Sequence, residues 1–131
     1  MVCLDTSFIV DVLRGNEKIK IILQRLTDGS EAITVTSPSI MELVKGAYLG
    51  LDSKREIEGI ERLVLSSVVL DFDKKSAFSA GKIEAELKKK GEMIQVEDIM
   101  IAAIVVENNE TLLTRNVKHF ERIKDLKIQT Y

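Results

Sequence analysis

The sequence predicts an α/β fold in which a mainly parallel five-stranded sheet is covered by helices on both faces. Five short segments rich in Val, Ile, Leu and Thr recur along the chain. They lack a clear apolar–polar alternation, as expected of strands buried on both sides. Helical stretches lie between them, and strands that alternate with helices join in parallel.

The first strand, "VCL" before Asp5, runs into a helix over 6–13, and Gly15-Asn16 separates this from a second helix over 17–27. In the second helix Ile19, Ile22, Leu23 and Leu26 share one face. "AITVT" (32–36) is the second strand. Ser37-Pro38 reads as a cap followed by proline at the first helical position, opening a helix to about Leu49. Residues 53–65 carry Ile57, Ile60 and Val64 as a helical stripe, before the strand "SVVLD" (67–71). A longer helix over 74–90 closes at Gly91 after three lysines that complement its C-terminus. The apolar run 99–106 after Asp98 predicts a helix buried nearly all round, with Ala102-Ala103 permitting close approach to the sheet. "TLLT" (111–114) and "KIQT" (127–130) complete the sheet.

At 131 residues the chain is expected to form one domain, residues 1–131, with a single core. Its 45% hydrophobic and 31% charged residues exclude a disordered chain. The net charge of −2 neither demands nor excludes nucleic acid, because binding depends on where the charges lie. The single cysteine, Cys3, excludes an internal disulfide and fits a reducing cytoplasm. Within "VCL" it reads as a small core residue rather than a nucleophile. No signal peptide is expected, since Asp5 interrupts the first apolar stretch, and the run at 99–106 is too short to span a bilayer.

In open α/β sheets functional groups collect at the carboxyl ends of strands, near the point where strand order reverses. Asp5 ends the first strand, and Ser37 with Glu42 one turn on follows the second. Asp71 and Asp73 follow the third, and Thr114, Arg115 and Asn116 the fourth. Asp98 follows a helix instead. The helix it opens must reach the start of the fourth strand, so its N-terminus belongs near the carboxyl edge beside Asp5. The six residues 92–97 can carry the chain back roughly 20 Å. Three carboxylates and an amide at one edge are hard oxygen ligands of the kind Mg²⁺ or Mn²⁺ prefers. Without a cation, such acids raise one another's pKa. The chemistry implied is metal-assisted attack of water on a phosphodiester.

Four stretches, "CLDTSFIVDVLRG", "SPSIMELVKG", "VEDIMIAA" and "LLTRNVKHF", occur in an order that resembles the PIN domain, especially the VapC-type toxin ribonucleases. The resemblance implies a three-layer α/β/α sandwich and an endoribonuclease dependent on Mg²⁺ or Mn²⁺. It also implies a homodimer and inhibition by a VapB-type antitoxin. By motif match the metal-binding acids are Asp5, Glu42 and Asp98. Asn116 falls where many PIN domains carry a fourth acid, which leaves open whether one or two ions bind, since an amide adds no charge.

Each residue also has a structural role open to it. Asp5 suits an N-cap, Glu42 could pair with Lys45, and Asp98 suits an N-cap whose second oxygen stays free. Thr6, Ser7 and Thr114 are expected to support the acids by hydrogen bonds. Asp11 reads as structural, Asp71 and Asp73 as turn and cap residues. The lone His119 is not needed as a general base and is expected to be structural or to touch substrate. Arg14, Lys45, Arg115 and Lys118 flank the acids and are candidates for RNA phosphates. Two rivals remain. A receiver-like signalling module would need Asp71 as phosphoacceptor and a lysine ending the last strand, where "KIQTY" has none. A PIN fold used only to bind a partner would be expected to have lost one of the acids.

Overall fold

The computed structural model describes residues 1–131. Strands β1 (Val2–Leu4), β2 (Ile33–Thr36), β3 (Val68–Leu70), β4 (Thr111–Leu113) and β5 (Lys127–Gln129) form one sheet in the order β3-β2-β1-β4-β5. Every neighbouring pair is parallel. Each strand is only three or four residues long, yet β1 is buried throughout and β2 and β4 beyond their first residue, because side chains alternate between two cores. Val2, Leu4 and Leu113 enter the core beneath helices α1 (Thr6–Leu13), α2 (Glu17–Asp28), α3 (Ser37–Leu49) and α4 (Ser53–Leu65). Cys3 and Leu112 enter the opposite core, beneath α5 (Lys74–Lys89), α6 (Val96–Glu107) and α7 (Val117–Phe120). The three layers are therefore helix, sheet and helix.

The chain builds outward from β1 through β2 to β3, then returns to the other side of β1 with β4 and β5. Strand order reverses between β1 and β4. The carboxyl ends of those two strands, at Asp5 and Thr114, consequently flank the crevice where α/β sheets place ligands. This topology also removes the receiver-like reading. That fold has its third strand inside the sheet, whereas β3 here is an edge strand. Asp71 follows it two strands from β1, about 10 Å away in the sheet.

Local structure differs from the sequence expectation in four places. Thr36, not Ser37, caps α3: already extended at the end of β2, it accepts from the Ser39 N–H at 3.2 Å. Ser37 becomes the first helical residue, and its hydroxyl accepts from the Phe72 N–H instead (3.3 Å). Asp98 is not an N-cap. Helix α6 begins at Val96 with Gln95 before it, so Asp98 is the third helical residue, where a negative charge still favours the helix dipole. The return segment is accordingly 90–95 rather than 92–97, and it turns at Gly91, whose φ of +71° disfavours other residues. Finally, α7 is a single turn held by one buried residue, Phe120, too short to show a period.

Candidate active site

The turn from β1 to α1 builds the centre of the site. Asp5 is 3% exposed and caps α1. Its Oδ1 accepts from the Thr6 N–H at 2.9 Å. Its Oδ2 accepts from the Ser7 hydroxyl at 3.1 Å and from Thr114 Oγ1 at 2.7 Å. The last bond bridges β1 and β4 across the switch point. Thr114 Oγ1 in turn accepts from the Asn116 N–H at 3.0 Å, so one buried hydroxyl braces both the acid and the turn after β4. Burial pushes the Asp5 carboxyl above its ordinary value, the three hydrogen bonds pull it back, and the charge of Asp98 pushes it up again.

Glu42 is half-buried on α3. Burial raises its pKa most and the charge of Asp98 adds to it, with smaller contributions from Asp5 and Glu97; the Thr6 hydroxyl works the other way. Glu42 forms no ion pair with Lys45. The two helices that carry Thr6 and Glu42 are joined by a buried hydroxyl cluster in which Thr6 Oγ1 (3.2 Å) and Thr36 Oγ1 (3.0 Å) both donate to Ser39 Oγ. Asp98, in the first turn of α6, has its Oδ2 2.8 Å from His119 Nε2. The charge of Asp98 thus reaches both Asp5 and Glu42, and that of Asp5 reaches Glu42. No three His, Cys, Asp or Glu side chains are drawn tightly enough together to enclose an ion unaided.

The remaining candidates divide. Ser7 and Thr114 reach Asp5 through their hydroxyls and Thr6 through its backbone N–H. Asn116 is exposed, and its side chain caps nothing; its backbone N–H is what engages Thr114. Arg115 is bound at 2.8 Å to Asp11, which is the structural role expected of that aspartate. Arg14 lines a groove of about 320 Å³ that begins at Thr6 and Glu42 and runs between α1, α3 and α4. Lys45 and Lys118 are exposed and unpaired. A larger cavity, about 560 Å³, lies between α5 and the far end of α6 and contains none of the three acids. Sequence reasoning missed Thr36 and Ser39, although the hydroxyl-rich "TSPS" signals them. It also missed Glu97, adjacent to Asp98, and Arg55 and Arg62, which share the groove with Arg14. The arginines come from α4, whose pattern reads only as an ordinary amphipathic helix.

The PIN domain family model matches residues 2–126. The tRNA(fMet)-specific endonuclease VapC of Salmonella typhimurium is 30% identical over 128 residues, covering 98% of this chain and 96% of that one. Ribonuclease VapC1 of Haemophilus influenzae is 32% identical over 130 residues with the same coverage. Among solved structures, VapBC2 from Rickettsia felis bound to a DNA fragment from their promoter superposes with a TM-score of 0.92 at 26% identity. That match covers 100% of this chain and 99% of the other. DNA-bound VapBC from Salmonella typhimurium gives 0.90 at 30% identity, covering 98% and 96%. With its fold, its acidic crevice and its full-length relatives in agreement, the chain belongs to the PIN-domain family, among the VapC-type ribonucleases.

Proposed function

We propose that residues 1–131 form a single divalent-metal-dependent endoribonuclease domain that acts as the toxin of a VapBC-type pair. The observation that carries this reading is the convergence of Asp5, Glu42 and Asp98 at the switch point, where the charge of Asp98 bears on both other acids. The available donors fit Mg²⁺ or Mn²⁺. They are hard carboxylate oxygens, while the one imidazole is engaged by Asp98 and the one thiol is buried in the core. A protein site for Mg²⁺ uses few direct ligands and keeps several waters. Asp5, Glu42 and Asp98 would hold the ion. Once bound, it supplies a nucleophile from water at neutral pH and neutralises charge on the phosphate.

The chain's own residues orient the parts. Thr6, Ser7 and Thr114 fix the carboxylate of Asp5. Asn116 offers an uncharged oxygen at the rim. Arg115 spends one N–H on Asp11 and keeps the rest of its guanidinium for RNA phosphates, alongside Arg14, Lys45 and Lys118. The Salmonella relative's name supports RNA, and tRNA within it, as the substrate class. The VapBC complexes support an antitoxin partner. Tyr48, Leu49 and Leu51, all strongly exposed at the end of α3, support a homodimer that buries them. RNA as substrate and a reduced Cys3 favour the cytoplasm, and no helix is long and apolar enough to cross a membrane.

The test is cleavage of cellular RNA and of single structured RNAs in Mg²⁺ or Mn²⁺. Asp98→Asn keeps the shape and removes one charge, so cleavage is expected to fall about a hundredfold or more, the scale of losing a key electrostatic group. The thermal transition should persist. Cleavage that survives both EDTA and this substitution overturns the reading; RNA binding with no cleavage by the wild type under any of these conditions favours a fold kept for partner binding.

A further inference from the structure

We propose that His119 is a positioning residue for Asp98, locked by Arg122 into the tautomer that donates from Nε2 and withheld from metal coordination. Arg122 follows α7 by one residue beyond its C-cap, and its Nε donates to the carbonyl oxygen of His119 at 3.2 Å. That bond seats the guanidinium beside the ring, with Nη2 3.3 Å from His119 Nδ1. A guanidinium has donors and no acceptor. Nδ1 therefore meets it with a lone pair, the ring hydrogen resides on Nε2, and the 2.8 Å contact to Asp98 Oδ2 is a donation to the carboxylate. Phe120, buried and edge-on to the imidazole at 5.1 Å, fixes the ring plane.

Two properties of the site follow. Asp98 commits Oδ2 to a protein donor, so its rotamer is set before any ion arrives and Oδ1 is the oxygen left to face the crevice. Ligand carboxylates held by such outer hydrogen bonds bind better than free ones. The imidazole also presents no open lone pair, since Nε2 bears hydrogen and Nδ1 is covered. A free histidine here would recruit Zn²⁺ or Co²⁺. Arg122 thereby keeps the site all-oxygen. The positioning half rests on the assignment of Asp98 as a ligand under the proposed function; the tautomer half does not.

His119 is the only histidine, so heteronuclear NMR of the ring nitrogens reports on it alone. In metal-free wild type at mildly alkaline pH the Nε2–H tautomer is expected, and Arg122→Ala should release it into a mixture. The Nδ1–H form in wild type, or no change in Arg122→Ala, overturns the lock. Mn²⁺ affinity, read by electron paramagnetic resonance, should weaken about tenfold or more in His119→Ala. It should be largely restored in His119→Gln, which keeps a side-chain N–H donor. Arg122→Ala should bind Zn²⁺ more tightly relative to Mn²⁺. Equal Mn²⁺ affinity in wild type and His119→Ala overturns the positioning role whatever cleavage does. A wild type that binds no Mn²⁺ defeats the metal-site reading itself, and the tautomer spectrum still decides the role of Arg122.

Discussion

Thr114→Val isolates the bond that spans the switch point. Valine reproduces the shape of threonine and deletes the hydroxyl, which is fully buried and donates to Asp5 Oδ2 at 2.7 Å. A hydrogen bond to an ionised acceptor contributes about 1.5–3 kcal/mol. The second bond lost, from the Asn116 N–H, costs little because Asn116 is exposed and water can replace the acceptor. The expected destabilisation of metal-free protein at neutral pH is about 2 kcal/mol, or roughly 5–10 °C in Tm for a domain of this size. Its pH dependence is the sharper test. Burial already holds the folded-state pKa of Asp5 above the ordinary 3.8, and the Thr114 hydroxyl is the largest influence pulling it down. Removing that hydroxyl raises the pKa further. A carboxyl with a raised folded pKa loses stability as pH climbs from its unfolded value through its folded one. The deficit of the variant should therefore be smallest below pH 3.8 and grow to its full size above the folded pKa of the variant. Urea unfolding at stepped pH measures it. A deficit that is the same at every pH would show that the hydroxyl serves the Asn116 turn and not the charge on Asp5, and would refute the reasoning.

Three further outcomes are expected. Asp5→Asn removes a carboxylate that burial and Asp98 disfavour, so it should raise Tm without metal and abolish most of the stabilisation Mn²⁺ confers on wild type; an equal metal response in both proteins would exclude Asp5 as a principal ligand. Glu110 is 2% exposed at the start of β4, neither carboxylate oxygen has a hydrogen-bond partner, and burial raises its pKa. Glu110→Gln should be the more stable protein at neutral pH, with the gap closing as pH falls through the raised folded pKa and gone below 4.5, and thermal melts in which wild type wins at neutral pH would contradict this. Sedimentation at micromolar concentration should find a dimer, converted to monomer by Leu49→Glu with Leu51→Glu; a wild-type monomer without antitoxin counts against the homodimer.

Most of the architecture was legible because burial on both faces leaves a mark that needs no partner to read. "AITVT" and "TLLT" are apolar runs too short for helices, and Ile99 to Val106 is apolar around its whole circumference. What escaped was set by contacts distant in the chain. Asp98 looks like a cap locally, but α6 begins two residues before it, and its oxygen meets His119, twenty-one residues later. The buried Ser39 joins Thr36, three residues before it, to Thr6 in a separate segment, and only the second link leaves no mark in the sequence. Arg115 resembled a free phosphate ligand until Asp11 appeared beside it, from the far end of a helix 104 residues earlier. Asp5 itself was readable in both roles, and it performs the capping role while its surroundings support the other.

The placement of β1 at the middle of the sheet has a consequence for the moment of synthesis. Asp5 leaves the ribosome 109 residues ahead of its closest partner, Thr114. Until β4 pairs with β1, the crevice has one wall, and the first acid lacks its shortest hydrogen bond. At about 5–20 residues per second, that interval lasts on the order of five to twenty seconds. A nuclease that matured as its N-terminus folded could attack the translation apparatus still making it. In this topology the assembly of the crevice waits on the synthesis of β4, so chains interrupted before residue 114 are expected to be inert towards RNA, which arrested nascent chains can be used to check.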